Sequence, residues 1–258
     1  MKKASPWFLF FGLLVILVDD THYHRNLHQD HQKSANASST MMFVSALRGT
    51  QKKVALPDGS IVWLNAASTL AYPANMVNGD RTVELLGEAF FDIRTKPSHP
   101  FKVQAREMSI EVLGTQFNVR NYAEELYSRA FVVSGAIRVS YHSQMTVLHS
   151  GEEVKVDPSD LNDHAFAISR ELDTAAAVAW TRGVLTFDDL DLRSLLRELS
   201  RSYNVEIQLE APVSDHRFQG TFSLQESLES VLQRLVIPYM HVTISRPSKQ
   251  QLIIRAKR

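Results

Sequence analysis

The chain has 258 residues, enough for one large domain or two modest ones. At 44% hydrophobic and 22% charged it can build a packed core, which excludes disorder over most of its length. Its 28 basic residues balance 28 acidic ones, so the basic excess of a dedicated nucleic-acid binder is missing; with no cysteine, disulfides, thiolate metal sites and a cysteine nucleophile are excluded as well.

Residues 1–20 read as a membrane anchor or signal segment. Lys2 and Lys3 precede the apolar run PWFLFFGLLVILV at 6–18, and Asp19 and Asp20 close it. That charge order places the N-terminus inside and the bulk outside. The run is shorter than the ~20 apolar residues that span a ~30 Å hydrocarbon core. A signal peptide, a short uncleaved anchor and a start placed downstream of the true one are the three readings. The missing A-x-A-like cleavage site favours the anchor, and all three export the rest of the chain.

Residues 21–46 read as a polar linker. His22, His24, His28 and His31 lie in it, and His24 and His28 are four apart. That spacing suits a metal only on a helix with a supporting carboxylate, and none is fixed nearby, so no metal site or cofactor is expected.

Residues 47–157 carry a β pattern. Val54 to Leu56 runs into Pro57-Asp58-Gly59, a hairpin turn signal, and then into 60–64. Further strands are predicted over 82–86 and 89–93 on either side of Gly87, and where Phe101, Val103 and Ala105, then Ile110 and Val112, then Phe117 and Val119 alternate with polar residues. The segments 129–133, 136–141, 145–149 and 153–156 complete the set, with Gly135 and Gly151 as turn residues. Many short strands with close turns predict a sandwich, barrel or solenoid. Glu88 and Asp92 lie four apart; in one strand that separates them by about 13 Å, outside both glycosidase spacings. No G-x-S-x-G, H-E-x-x-H, P-loop or Rossmann pattern occurs, so no catalytic residue is assigned and an enzyme is not expected.

Residues 158–179 read as a connection, polar at first and broken by Pro158. Residues 180–256 then change period. A strand over 185–187 leads to Asp188, Asp189 and Asp191, which suit a helix N-terminus. Leu192, Leu195, Leu196 and Leu199 follow on one helical face, Asn204 ends the helix, and 205–209 alternates as a strand. The arrangement recurs: a strand over 218–222, Ser223 as N-cap with Glu226 completing a capping box, then Leu228, Val231, Leu232 and Leu235, a break at Pro238, and strands over 242–244 and 252–254. Adding 36 to 192, 195, 196, 199 and 203 gives Leu228, Val231, Leu232, Leu235 and Tyr239 against Leu192, Leu195, Leu196, Leu199 and Tyr203. Each β-α-β copy is too small to bury its helix alone, so the two are expected to share one small sheet with edges open to a partner strand. Arg193, Arg197 and Arg201 form a stripe at i, i+4, i+8, read either as a solvated face or as a docking face for an acidic partner. Trp63 and Trp180 are expected in core or inter-domain packing.

Longer motifs carry a family resemblance. LPDGSIVWLNAASTLAYP at 56–73, GEAFFDI at 87–93, PFKV at 100–103 and VLGTQFNV at 112–119 lie in the β part. WTRGVLTFDDLDLRSLLRELSRSYNVEI at 180–207 opens the repeat. In this order they resemble the FecR family of envelope regulators, in the two-part form common in Bacteroidetes. The last motif is similar to the short signalling domain of secretins and TonB-dependent transducers. The resemblance implies a β-rich FecR-like domain, an antiparallel sandwich or solenoid-like, followed by a small α+β domain with a repeated β-α-β unit. It further implies a single-pass protein of the inner membrane with its bulk in the periplasm. There it would relay a signal from the signalling domain of a TonB-dependent outer-membrane transducer. An ECF-type sigma factor would be a partner through a cytoplasmic segment, of which only Met1–Ser5 precede the apolar run here. The rival expectation is an envelope-anchored binding module for a glycan or polymer with no sigma-factor partner.

Overall fold

The computed structural model describes residues 40–77, 79–157, 165–211 and 215–256. The expected membrane segment over 1–20 and the histidine-bearing stretch to residue 39 lie outside them. Among the described residues no helix is long and apolar enough to cross a membrane.

The β part is a curled sheet whose two layers share one strand. In the first layer β1 (Met41–Ala46), β4 (Ser68–Pro73), β5 (Thr82–Asp92), β6 (Phe101–Ala105), β7 (Met108–Val112), β10 (Ala136–Tyr141) and β11 (Gln144–His149) lie side by side. In the second, β2 (Lys52–Ala55), β3 (Ile61–Leu64), the far half of β5, β8 (Gln116–Asn121), β9 (Ser128–Ser134), β12 (Glu153–Val156) and β13 (Phe166–Ser169) do so. Every pairing is antiparallel except β5 with β6.

The shared strand bends at Gly87. Residues 82–86 pair with β4 and β6, and residues 87–92 with β3 and β8. Gly87 takes φ 102°, and a Cβ there would fall 2.7 Å from the Ser68 Cα, so only glycine fits. The two strands expected around Gly87 are therefore one bent strand. Its inward residues Val83, Leu85, Ala89 and Phe91 line the core, where Phe91 stacks on Phe117 with centroids 5.0 Å apart. Asp58 does shape the expected turn, accepting from the Ser60 amide at 2.9 Å, and it also forms a buried ion pair with Arg81 at 2.7 Å.

Two sequence boundaries move. The linker expected to residue 46 ends earlier, because Met41–Ala46 pairs with β4 along its whole length. This stretch (MMFVSA) has strand-forming side chains and no turn residue, and β4 offers it a free edge. Within the expected connection, Phe166–Ser169 pairs with β12 as an edge strand, followed by a short helix α1 (Thr174–Ala177) and a 3-10 turn Ala179–Arg182.

The C-terminal part holds β14 (Val184–Leu190), α2 (Leu192–Tyr203) and β15 (Glu206–Glu210), then β16 (Phe218–Ser223), α3 (Leu228–Leu235), β17 (Val242–Ser248) and β18 (Gln251–Ala256). The repeat is present, but its strands form two sheets rather than the one expected. The opening strands β14 and β16 pair with each other, while the closing strands β15 and β17 are held apart by β18 between them. The leucine faces of both helices are buried in a core of their own, together with Phe187, Phe222 and Ile254. The second copy departs from the first in one cap. The N-cap of α3 is Ser227, which accepts from the Ser230 amide, and Ser223 with Glu226 shapes the preceding turn. Ser227 stands 36 residues after Asp191, the N-cap of α2, so the repeat is stricter than the capping-box pattern suggested.

Candidate functional site: a buried charge cluster between the two parts

Glu88 and Arg120 face each other across β5 and β8. The bend at Gly87 sets the face on which Glu88 emerges, and strand alternation adds Trp63, Phe90 and Asn118 to the same side. This is the outer face of the second layer. Glu88 is only 4% exposed, and it accepts from Asn118 at 2.9 Å, Asn65 at 2.8 Å and Arg120 at 3.0 Å. Its carboxylate is fully engaged, and Asp92 plays no part in this set.

The same face receives helix α2. Its leucines point into their own core, and the opposite side presents Glu198 and Arg201, one turn apart. Arg120 reaches Glu198 at 2.5 Å and Glu125 at 2.6 Å. Arg201 reaches Glu198 at 2.8 Å, Glu125 at 2.7 Å and Glu124 at 2.5 Å. Glu124 and Glu125 come from the β8–β9 loop. Tyr122 at the start of that loop lies beneath both guanidiniums, 3.8 Å from Arg201 and 5.1 Å from Arg120, and donates to the Ala66 carbonyl.

Burial and charge oppose each other here. Burial pushes the Glu198 carboxyl up, but the Arg120 and Arg201 guanidiniums outweigh it and hold the group at about 2. Burial also raises the Glu125 carboxyl, and Arg120 and then Arg201 bring it below its ordinary value. Burial lowers Arg201, yet Glu198 leads the neighbours that raise it beyond the usual range. Tyr122 is held neutral, raised first by burial and then by Glu88 and Glu198.

Neutral contacts flank the cluster. Trp180 donates its indole N–H to Asn118 at 3.1 Å, and Gln51 donates to the Trp180 carbonyl at 2.8 Å. The Gly49 amide donates to the Arg201 carbonyl at 2.8 Å, one of the orphan carbonyls at the end of α2, and Arg48 donates to the Ser200 hydroxyl at 2.8 Å. The expected packing role of Trp180 is what the structure shows: it is 7% exposed in the seam.

The arginine stripe does not stay together. Arg193 and Arg197 are exposed, and Arg197 donates to the Glu124 carbonyl at 3.1 Å. Arg201 is 2% exposed and bound to three carboxylates, so it is no part of a solvent-facing docking surface. Steps of four residues gain about 40° each on a helix of 3.6 residues per turn, so Arg201 lies about 80° round from Arg193 and turns into the seam. Among the described residues no group of three metal-ligating side chains occurs.

Sequence reasoning missed Glu88, Arg120, Glu125 and Glu198 as a set. The one signal available was GEAFFDI beside VLGTQFNV: antiparallel pairing of these two motifs brings Glu88 opposite Arg120.

Comparison with known proteins places this architecture. Residues 43–138 match the family described as FecR protein, and residues 184–238 match the one described as FecR, C-terminal. Two crystal structures of a "putative anti-sigma factor" from Parabacteroides distasonis ATCC 8503 are similar throughout. One has a TM-score of 0.76 at 28% identity over 84% of this chain and 100% of that one. The other has a TM-score of 0.75 at 29% identity over 85% of this chain and 100% of that one. No curated protein matches.

Proposed function

Because the chain belongs to the FecR family, we propose that it is the sensing part of a sigma-factor regulator, acting through protein–protein binding rather than catalysis. The observation that carries this reading is the likeness to the Parabacteroides structures over both domains at 28–29% identity. The bulk of the chain works in the periplasm, tethered to the inner membrane by the apolar run at 6–18. Its C-terminal module receives the signalling domain of a TonB-dependent outer-membrane transducer. An extracytoplasmic-function sigma factor is the partner at the cytoplasmic end of the relay.

The physical support is in the module. Its two small sheets end in edge strands, and a strand from a partner can extend such an edge through main-chain hydrogen bonds. The exposed Arg193 and Arg197 beside it favour a partner with acidic residues at the rim of the contact.

The test is a titration of the full chain, held in detergent micelles, with the recombinant signalling domain of the transducer from the same organism. Binding at micromolar concentration or tighter, weakened by salt, is the expected result. No binding at that concentration, together with retention of the chain on envelope polysaccharide, favours a free-standing glycan- or polymer-binding module instead. Protease treatment of spheroplasts tests the location: digestion of the bulk of the chain from outside is expected, and full protection overturns it.

A further inference from the structure

Apart from Tyr122 and Trp180 at the seam and a few others such as Val178 and Ala179, the buried apolar residues described fall into two separate clusters, one wholly in the β part and one wholly in the C-terminal module. What joins them is mainly polar: Arg120 and Arg201 among Glu88, Glu124, Glu125 and Glu198, with Gly49, Arg48 and Gln51 at the margin. This composition matters for what happens when the seam opens. Two apolar faces pulled apart would expose sticky surface, whereas carboxylates and guanidiniums regain their hydration. Inside the seam the same groups fix one geometry, because any misplacement strands a buried charge.

The chain also has a place to turn. Trp180 is fastened to the β part by Asn118 and Gln51. Three residues later Gly183 takes φ 74°, and its carbonyl accepts from the Leu224 amide of the module at 2.9 Å. A Cβ on Gly183 would meet nothing within 4 Å. The boundary between the two bodies thus passes between Trp180 and Gly183, at a glycine whose amide bonds to the Trp180 carbonyl at 2.9 Å; once that contact opens, the missing Cβ permits a wide range of backbone angles.

We propose that the C-terminal module is a detachable body, clamped to the β domain by the Glu88–Arg120–Glu198–Arg201–Glu125 cluster and hinged at Gly183. Undocking, with both cores intact, is the conformational event that such a chain can relay. This goes beyond the function proposed above and does not depend on the identity of the partner.

The chain has no cysteine, so two can be introduced without background. Spin labels at Val147→Cys on the β domain and Lys249→Cys on the module, both exposed positions, report the distance between the bodies in the full chain. One narrow distance is expected for the parent. Arg201→Glu is expected to raise the open fraction at least about tenfold, seen as a second, broader distance. Amide exchange in β5 and in α2 should stay slow in that variant, because each core survives. A single unchanged distance, or fast exchange throughout both cores, overturns the proposal. Native-state exchange of the unsubstituted chain decides the matter even if the variant does not fold. The Gly49 amide, bonded to Arg201, should exchange through an opening smaller than global unfolding. Exchange of that amide only on global unfolding overturns the clamp.

Discussion

Arg201 of α2 crosses the seam to Glu125 of the β8–β9 loop at 2.7 Å, although 76 residues separate them. The Arg201 side chain is 3% exposed and the Glu125 side chain 16%, so water is excluded from the guanidinium and reaches the carboxylate only at its edge. Removing the guanidinium leaves carboxylates buried with too few donors, and the cost exceeds the value of the pair itself.

Arg201→Met is therefore expected to destabilise the full chain by about 3–5 kcal/mol in urea unfolding. Glu124→Gln, at the half-exposed end of the cluster, should cost less than about 1 kcal/mol. A double-mutant cycle on Arg201 and Glu125 should return a coupling of about 1–3 kcal/mol. Equal effects for the buried and the half-exposed substitutions would contradict this placement of the cluster.

Acid should loosen the protein through Glu198. Its folded value lies at about 2 against an ordinary 4.5, so the unfolded chain binds the proton first as pH falls. The stabilisation is fully present above pH 4.5 and is lost progressively down to about pH 2. Glu125 is shifted in the same direction and adds to the trend. Urea midpoints measured between pH 7 and pH 3 should fall more steeply for the parent than for Glu198→Gln. Parallel curves would show that Glu198 is not held ionised by the two arginines.

The features legible in the sequence are the local ones. Leu192, Leu195, Leu196 and Leu199 announce α2 because helical period and burial coincide there, and the alternation of Phe101, Val103 and Ala105 announces β6 in the same way. The cluster obeys no local period. Glu88, Arg120 and Glu198 meet only through strand register and the docking of a helix onto a sheet face. Arg201 misleads for a related reason, since an i, i+4, i+8 stripe reads as one surface only if the helical drift between its ends is ignored. The pairing of β14 with β16 was hidden as well, because two similar β-α-β units can close in more than one way. In the structure β14 pairs with β16, and β18 lies between β15 and β17 in a separate sheet.

Gly87 is the position at which β5 passes from one layer of the sheet to the other. Gly87→Ala would combine an unfavourable positive φ with a contact at 2.7 Å to the Ser68 Cα. A loss of about 3 kcal/mol or more is expected, well above an ordinary exposed glycine-to-alanine change. Since Glu88 follows directly, the variant should also loosen the seam, visible as faster exchange of the Gly49 amide. A neutral effect on both readouts would mean that β5 can bend without glycine.

The repeat makes a sharper claim about helix starts. Asp191 and Ser227 occupy equivalent positions 36 residues apart, and each accepts an amide three residues on, from Ser194 and Ser230. Asp191→Ala and Ser227→Ala should each cost about 1 kcal/mol, since each leaves a first-turn N–H without its partner. Ser223→Ala removes only a turn contact to the Gln225 amide, on an exposed segment, and should cost less. Asp191 carries one further effect. Its carboxyl lies below its ordinary value of 3.8: burial opposes the shift, and the Ser194 amide and hydroxyl override it. That contribution is present above pH 3.8 and fades as pH falls below it, so the penalty of Asp191→Ala should shrink in acid while that of Ser227→Ala stays constant. Thermal unfolding of the three variants at pH 7 and pH 3 separates the outcomes. If Ser223→Ala proves the costlier of the two serine changes, the 36-residue register does not extend to the caps.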